Sequence, residues 1–355
     1  MHGRFSFFQG CGYSKEIRVT MNTPFIIAEM SGNHNQSLER ALAIVDAAAV
    51  SGAHAIKIQT YTADTITMRN VYTINDPKSL WNGRDLYDLY QEAHTPWEWH
   101  SAIYERAKEK GIVCFSTPFD ETAVDYLESL NNPIYKVASF EVNHIPLLKK
   151  IAQTNRPVIM STGASTLQEI EEAVQTLKDN GCKELTLLKC TSTYPASPEN
   201  TNLLTIPDMK QRFQCKVGLS DHTLEIGVAV ASIALGATVI EKHFCLSRNE
   251  GGVDSAFSLE PIEMKALVEE THRAYLALGS VTYEIQEEEK NSRIFKRSIY
   301  ASQDIHVGEP LTLENIKIIR PAFGMNPKHW DWLLTQKAEK EIRKGEPICR
   351  IIQKK

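Results

Sequence analysis

Two histidines, two lysines and a set of carboxylates and hydroxyls in this 355-residue chain share one kind of position: each lies at or near the end of a short apolar run. His222 closes KVGLSDH and His243 closes TVIEKH. Imidazoles ending consecutive strands would lie side by side and can bind a divalent cation. Coordination positions left open for water or substrate would suit a catalytic metal. Lys57 in AIKIQ and Lys136 in IYKVAS stand inside apolar patterns, where an ammonium is costly unless paired or facing a polar cavity. With the hydroxyls of Thr117, Ser139, Ser161 and Ser220 they could hold a phosphate or carboxylate. No Walker-type glycine loop is present, and any one of the serines could instead cap the helix that follows. Glu29, Glu141 and Asp254 are candidates for general-base or ligand-binding work, or for salt bridges to lysines in the same mouth.

The runs themselves supply the frame. FIIAE, AIKIQ, IVCFST, IYKVAS, PVIMST, LTLLKCTS, KVGLSDH and TVIEKH are separated by helical patterns. Eight such units predict an α/β fold, a (β/α)8 TIM barrel whose working face lies at the strand C-termini. Helices are expected from Ser37 to Gly52, Thr95 to Gly111, Thr166 to Gly181 and Thr223 to Leu235. A long insertion, Thr62 to His94, follows the second strand and is rich in Tyr, Asp, Asn and Trp, including Trp81. Its place on the working face predicts a substrate lid, with a decorated surface loop as the plainer outcome. After Gly279 a charged connector leads into short β-like pieces in which VGEPL and KGEPI repeat one turn. The boundaries expected are an extension at 1–20, the barrel at 21–282, a linker at 283–294 and a small domain at 295–355.

Composition is that of an ordinary globular protein, with 42% hydrophobic and 23% charged residues. A net charge of −5 gives no hint of nucleic-acid binding. No run is long enough for a membrane span, and the N-terminal twenty residues lack the apolar core of a signal peptide. The 7 cysteines form no CxxC pair and read as reduced core thiols of a cytoplasmic protein.

The segments AEMSGNHNQSLERAL, KIQTYTADT, STPFD, YKVASFE, STG, GLSDHT and EKHF, in this order, resemble the motifs of the sialic acid synthase family. Ser298 to Pro321 resembles the family's C-terminal antifreeze-like (SAF, β-clip) domain. The resemblance runs from about Pro24 to the C-terminus. KIQTYTADT, GRDLYDLYQEAHTPWEWH and CTSTYPASPE are most similar to the pseudaminic acid branch. N-acetylneuraminate synthases typically carry KHQT instead of KIQT, and an Asn at the position of Ser192, so both differences bear on substrate choice.

The resemblance implies condensation of phosphoenolpyruvate with an open-chain acetamido sugar, giving a nine-carbon 2-keto acid sugar and phosphate by C–O cleavage. For the pseudaminic acid branch the sugar is 2,4-diacetamido-2,4,6-trideoxy-L-altrose. The alternatives with the same chemistry are N-acetylneuraminate and legionaminic acid synthesis. The resemblance assigns a divalent metal, Mn2+ or Mg2+, to His222 and His243. It assigns phosphoenolpyruvate to Lys57, Thr117, Lys136, Ser139, Ser161 and Ser220, and acid/base work to Glu29. Gln59, Glu141, Ser192, Tyr194 and Asp254 match sugar-side or metal-water positions. Arg320 matches an arginine that reaches the other subunit's barrel in a domain-swapped homodimer. A metal-dependent aldolase and a non-catalytic sugar-binding barrel are the competing readings. The aldolase would not need phosphate-site residues on so many strands.

Overall fold

The computed structural model describes residues 24–349. The expected N-terminal extension lies outside them. Two compact units divide the chain, Met1–Gly279 and Ser280–Lys355.

The first unit is the expected closed barrel of eight parallel strands in sequence order. The strands are β1 (Phe25–Glu29), β2 (Ala55–Thr60), β3 (Val113–Pro118), β4 (Tyr135–Val137), β5 (Val158–Ser161), β6 (Leu185–Cys190), β7 (Lys216–Asp221) and β8 (Val239–His243). β1 pairs with β8 over Phe25–Glu29, which closes the ring and sets Glu29 opposite His243.

Helices α1 (Leu38–Val50), α4 (His100–Lys110), α5 (Glu121–Ser129), α6 (Ile145–Gln153), α7 (Leu167–Asp179), α8 (Thr205–Phe213), α9 (Gly227–Ala234) and α10 (Pro261–Leu278) follow the eight strands. Their boundaries have local causes. Ser37 Oγ accepts Arg40 N–H at the start of α1, and Thr166 with Glu169 forms a capping box on α7. Gly111 ends α4 in the left-handed region, with φ +76°. One boundary differs from expectation: α9 starts at Gly227, not at Thr223. The backbone N–H and hydroxyl of Thr223 both bond Asp221 Oδ1, and Glu225 sits at φ +61°. The chain must turn there before a helix can start.

Period-two alternation sorts the barrel interior into layers. Ile27, Ala55, Phe115, Ile159, Leu188 and Val239 pack as an apolar floor. Two residues further along the same strands stand Glu29, Lys57, Thr117, Ser161, Cys190 and Glu241. The outward-facing residues pack under the helices in the main core, where Ile26, Ala28, Ile56, Ile58 and Met160 are fully buried.

The insertion after β2 has its own structure, with α2 (Ala63–Ile66) and α3 (Leu86–Ala93). Gln36 donates to the carbonyls of Glu92 and His94, and Trp81 donates to the Val253 carbonyl. These bonds tie the segment to loops on the working face.

The second unit holds the antiparallel pair β9 (Ser298–Ala301) and β10 (Ile316–Ile319) and the short α11 (Trp330–Leu333), around a core including Ile299, Leu311 and Ile342. The two Gly-Glu turns are alike, as the sequence suggests. Gly308 and Gly345 have φ of +81° and +84°. Glu309 and Glu346 each return a carboxylate to the backbone N–H three residues earlier, at 2.9 Å and 3.1 Å. The six described cysteines are free thiols. Cys349 corrects the expectation of core thiols: it is exposed, near the end of the second unit.

Candidate active site

The polar layer above the apolar floor is a ring of buried charges. Lys57 Nζ lies 2.7 Å from Glu29 Oε2 and 4.0 Å from Glu241 Oε2, and donates to Thr117 Oγ1 at 3.1 Å. Lys136 Nζ donates to Ser161 Oγ at 2.7 Å and lies 4.0 Å from Glu241 Oε1. Ser220 Oγ donates to the same Glu241 oxygen at 3.1 Å. Two cations and two carboxylates thus share one water-poor layer. Burying each would cost several kcal/mol without its partners.

The environment splits their proton affinities. Burial raises the Glu29 carboxyl, and repulsion from Glu241 adds to this, so the group stays above its ordinary value despite Lys57. Burial alone would also raise Glu241, but Lys136 and Lys57 outweigh it and hold the group low. Burial lowers Lys136. In Lys57 the same burial is overcome by Glu241 and Glu29, and its affinity is raised. Glu29 is therefore the carboxylate best suited to exchanging a proton, and Glu241 the one best suited to staying charged.

One pleat nearer the mouth come Gln59, Ser31, Asp254 and the two histidines. Gln59 Nε2 donates to Glu29 Oε1 at 3.0 Å and to Ser31 Oγ at 3.1 Å. Ser31 donates to Asp254 Oδ2 at 2.5 Å, and burial holds that carboxyl above its ordinary value. His222 and His243 face each other with ring centroids 5.4 Å apart. Tyr194 lies 4.4 Å from the His222 ring, and Phe257 lies 4.9 Å from the His243 ring. Trp81 of the insertion reaches within 5.7 Å of Tyr194.

The imidazoles are prepared for a ligand. His222 Nδ1 is 3.0 Å from the Thr191 carbonyl, which can only accept, so Nδ1 carries the proton, and in the neutral ring Nε2 keeps its lone pair. His243 Nδ1 is buried with no hydrogen-bond partner. Among the described residues, no cluster of three or more His, Cys, Asp or Glu forms a fuller metal site. Two imidazoles alone would leave the other positions of a bound metal to water or substrate.

The remaining candidates fall around this mouth, with one exception. Ser139 Oγ accepts Gly163 N–H at 3.0 Å. A Cβ at Gly163 would come within 2.2 Å of Ser192 Oγ and 2.9 Å of Ser139 Oγ, so only glycine leaves both hydroxyls in place. Glu141 follows β4 with a buried Oε2 that has no partner, and burial pushes its carboxyl up to about 7. Arg320 lies exposed in the second unit, directly after β10, and is not among the groups the barrel brings together.

Three residues of the site were given no role by the sequence reading: Glu241, Cys190 and Ser31. The signal that finds each is alternation. Glu241 is two residues before His243, Ser31 two after Glu29, and Cys190 two before Ser192. Cys190 Sγ lies 3.6 Å from Ser192 Oγ and 3.8 Å from His222 Nδ1.

A closed barrel with this mouth, followed by a small β unit, defines a class. The chain belongs to the NeuB family, whose model matches residues 44–283, and a SAF domain model matches residues 296–349. It is 44% identical over 327 residues to the pseudaminic acid synthase of Campylobacter jejuni, covering 91% of this chain and 95% of that one. It is 37% identical over 332 residues to the N,N'-diacetyllegionaminic acid synthase of the same species, covering 92% and 99%. The solved N-acetylneuraminic acid (sialic acid) synthetase of Leptospira borgpetersenii, in complex with citrate, superposes with a TM-score of 0.69 at 33% identity. That match covers 76% of this chain and 90% of that one. The family and fold expected from the motifs are both borne out.

Proposed function

We propose that this chain is a pseudaminic acid synthase, condensing phosphoenolpyruvate with the diacetamido trideoxy sugar to give pseudaminic acid and phosphate. The observation that carries the reading is the buried layer in which Lys57 and Lys136 stand among Glu29, Glu241, Thr117, Ser161 and Ser220, one pleat below two facing histidines. The higher identity to the pseudaminic acid synthase, 44% against 37%, supports the choice of sugar.

Lys57 and Lys136, with Thr117, Ser139, Ser161 and Ser220, would hold the phosphate and carboxylate of phosphoenolpyruvate. Their own carboxylates must yield to the ligand. When an anion takes up Lys57, Glu29 loses its counter-ion 2.7 Å away and, already above its ordinary proton affinity, binds a proton at Oε2. That proton is then available where phosphate leaves and water adds at carbon 2. A divalent cation, Mn2+ or Mg2+, held by His222 and His243 would act as a Lewis acid on the sugar aldehyde. Gln59, Glu141, Ser192, Tyr194 and Asp254 would orient the sugar so that carbon 3 of phosphoenolpyruvate meets its carbonyl carbon. The aromatic side chains of Trp81, Tyr194 and Phe257, which touch one another in sequence, would help keep water from that contact.

Arg320 would complete the sugar site from the neighbouring subunit of a domain-swapped homodimer. Among the described residues no helix is long and apolar enough to cross a membrane. A cytoplasmic location suits phosphoenolpyruvate as substrate.

The test is phosphate release from phosphoenolpyruvate with Mn2+ and a panel of acetamido sugars. Release with the diacetamido altrose is the expected result. Release only with the legionaminic acid precursor or N-acetylmannosamine would move the chain to a sister activity. No release with any sugar would favour a non-catalytic sugar-binding barrel.

A further inference from the structure

A second buried ion pair lies behind the histidines, on the far side of the barrel wall from the substrate layers. Asp221 and Lys242 face each other in the β7–β8 register. Lys242 Nζ lies 2.8 Å from Asp221 Oδ2, with side-chain exposures of 0% and 1%. Lys242 also donates to the Thr223 carbonyl at 2.5 Å. The other Asp221 oxygen accepts the Thr223 N–H and hydroxyl at 2.9 Å and 2.8 Å. Every polar contact that this carboxylate can make on its own loop is thus used to fold residues 221–223 onto the end of β8.

Placement decides what the pair does. Alternation sets Asp221 between the inward-facing Ser220 and His222, and Lys242 between the inward-facing Glu241 and His243. A slip between the two strand ends would carry one imidazole away from the other. A fully buried ion pair adds little net stability over apolar groups of the same shape, but it holds its two backbones in one geometry. The Thr223 contacts turn the chain just after His222, whose Nδ1 must meet the Thr191 carbonyl.

We infer that Asp221 and Lys242 are positioning residues for the histidine pair, locking the ends of β7 and β8 so that both imidazoles converge on one metal ion. The inference rests on the proposed metal role of His222 and His243, and the experiment separates the two. Mn2+ is titrated into full-length wild type, Asp221→Asn and Asp221→Asn/Lys242→Met, following loss of the free aqueous Mn2+ signal by electron paramagnetic resonance. Asn keeps the Thr223 contacts, and the double variant strands no charge. Melting temperatures are measured alongside.

The expected result is that the double variant melts within a few degrees of wild type and Asp221→Asn melts lower, because it strands the Lys242 ammonium, while the Mn2+ dissociation constant rises about 10- to 100-fold in both, as when partners behind metal ligands are removed. kcat should fall while KM for phosphoenolpyruvate, held by lysines on other strands, stays constant. Unchanged Mn2+ affinity in folded variants would overturn the inference. Failure of both variants to fold would show the pair to be structural and would also overturn it. Wild type that binds no Mn2+ would remove the metal reading, and this inference with it.

Discussion

Replacing Lys57 by Met tests the charge balance of the polar layer. Its ammonium lies 2.7 Å from Glu29 and 4.0 Å from Glu241, and Lys136 also lies 4.0 Å from Glu241. In the variant Glu241 retains Lys136, while Glu29 loses its ammonium and keeps the Gln59 amide at 3.0 Å. A buried carboxylate without a cation takes up a proton sooner than it stays charged. Holding it protonated at pH 7 against an ordinary value of about 4.3 costs at most about 3.7 kcal/mol, from about 1.36 kcal/mol for each of about 2.7 pH units. The intact site already holds Glu29 above its ordinary value, so the difference from wild type lies below that ceiling.

The sign of the pH dependence follows from proton counting. Between the ordinary carboxylate value and the raised folded one, the folded variant binds more protons than the unfolded chain, so its stability falls as pH rises. The penalty against wild type should therefore be small at pH 5 and grow toward neutrality, by no more than about 1.4 kcal/mol per pH unit. Urea unfolding followed by tryptophan fluorescence at pH 5, 6, 7 and 8 measures it. The double variant Lys57→Met/Glu29→Gln, with a neutral amide in place of the stranded carboxyl, should lose the added pH dependence. A penalty independent of pH, or a slope retained in the double variant, would refute the assignment of Glu29 as the displaced counter-ion.

Glu141 makes a related prediction. Its carboxyl is raised to about 7 by burial, so the folded state holds the extra proton, and wild-type stability declines as pH rises from the ordinary carboxylate range toward 7. Glu141→Gln should remove that decline and leave the barrel more stable at pH 8 by up to about 3 kcal/mol. Thermal melts at pH 5 and 8 with the same difference in both proteins would count against it. Arg320→Ala should chiefly raise KM for the sugar. Mixed with a Glu29→Gln variant, it should recover part of the lost turnover if the arginine acts across subunits, and a mixture no more active than its components would remove the swapped arrangement.

What the sequence revealed and what it hid both follow from the period of a strand. Apolar runs with polar endings were enough for eight strands, because parallel barrel strands are buried on both faces and read as continuous hydrophobic segments. His222, His243, Lys57 and Lys136 stood out because charged or titratable groups are rare in such runs. Glu241 was visible as a strand ending by the same logic, but its role was not. It sits in EKH between an apolar stretch and the more conspicuous histidine, and only the inward direction it shares with His243 assigns it to the substrate layer. Ser31 was passed over because it follows the strand, at φ +46°, although its spacing from Glu29 still keeps the alternation. The start of α9 was misplaced because Thr223 is a good helix cap in isolation, yet both of its donors go to Asp221. That last competition is informative beyond the helix boundary. The residue that stops the helix also carries the ion pair behind the histidines, so a local failure of helix rules marks where the chain is held for the site instead.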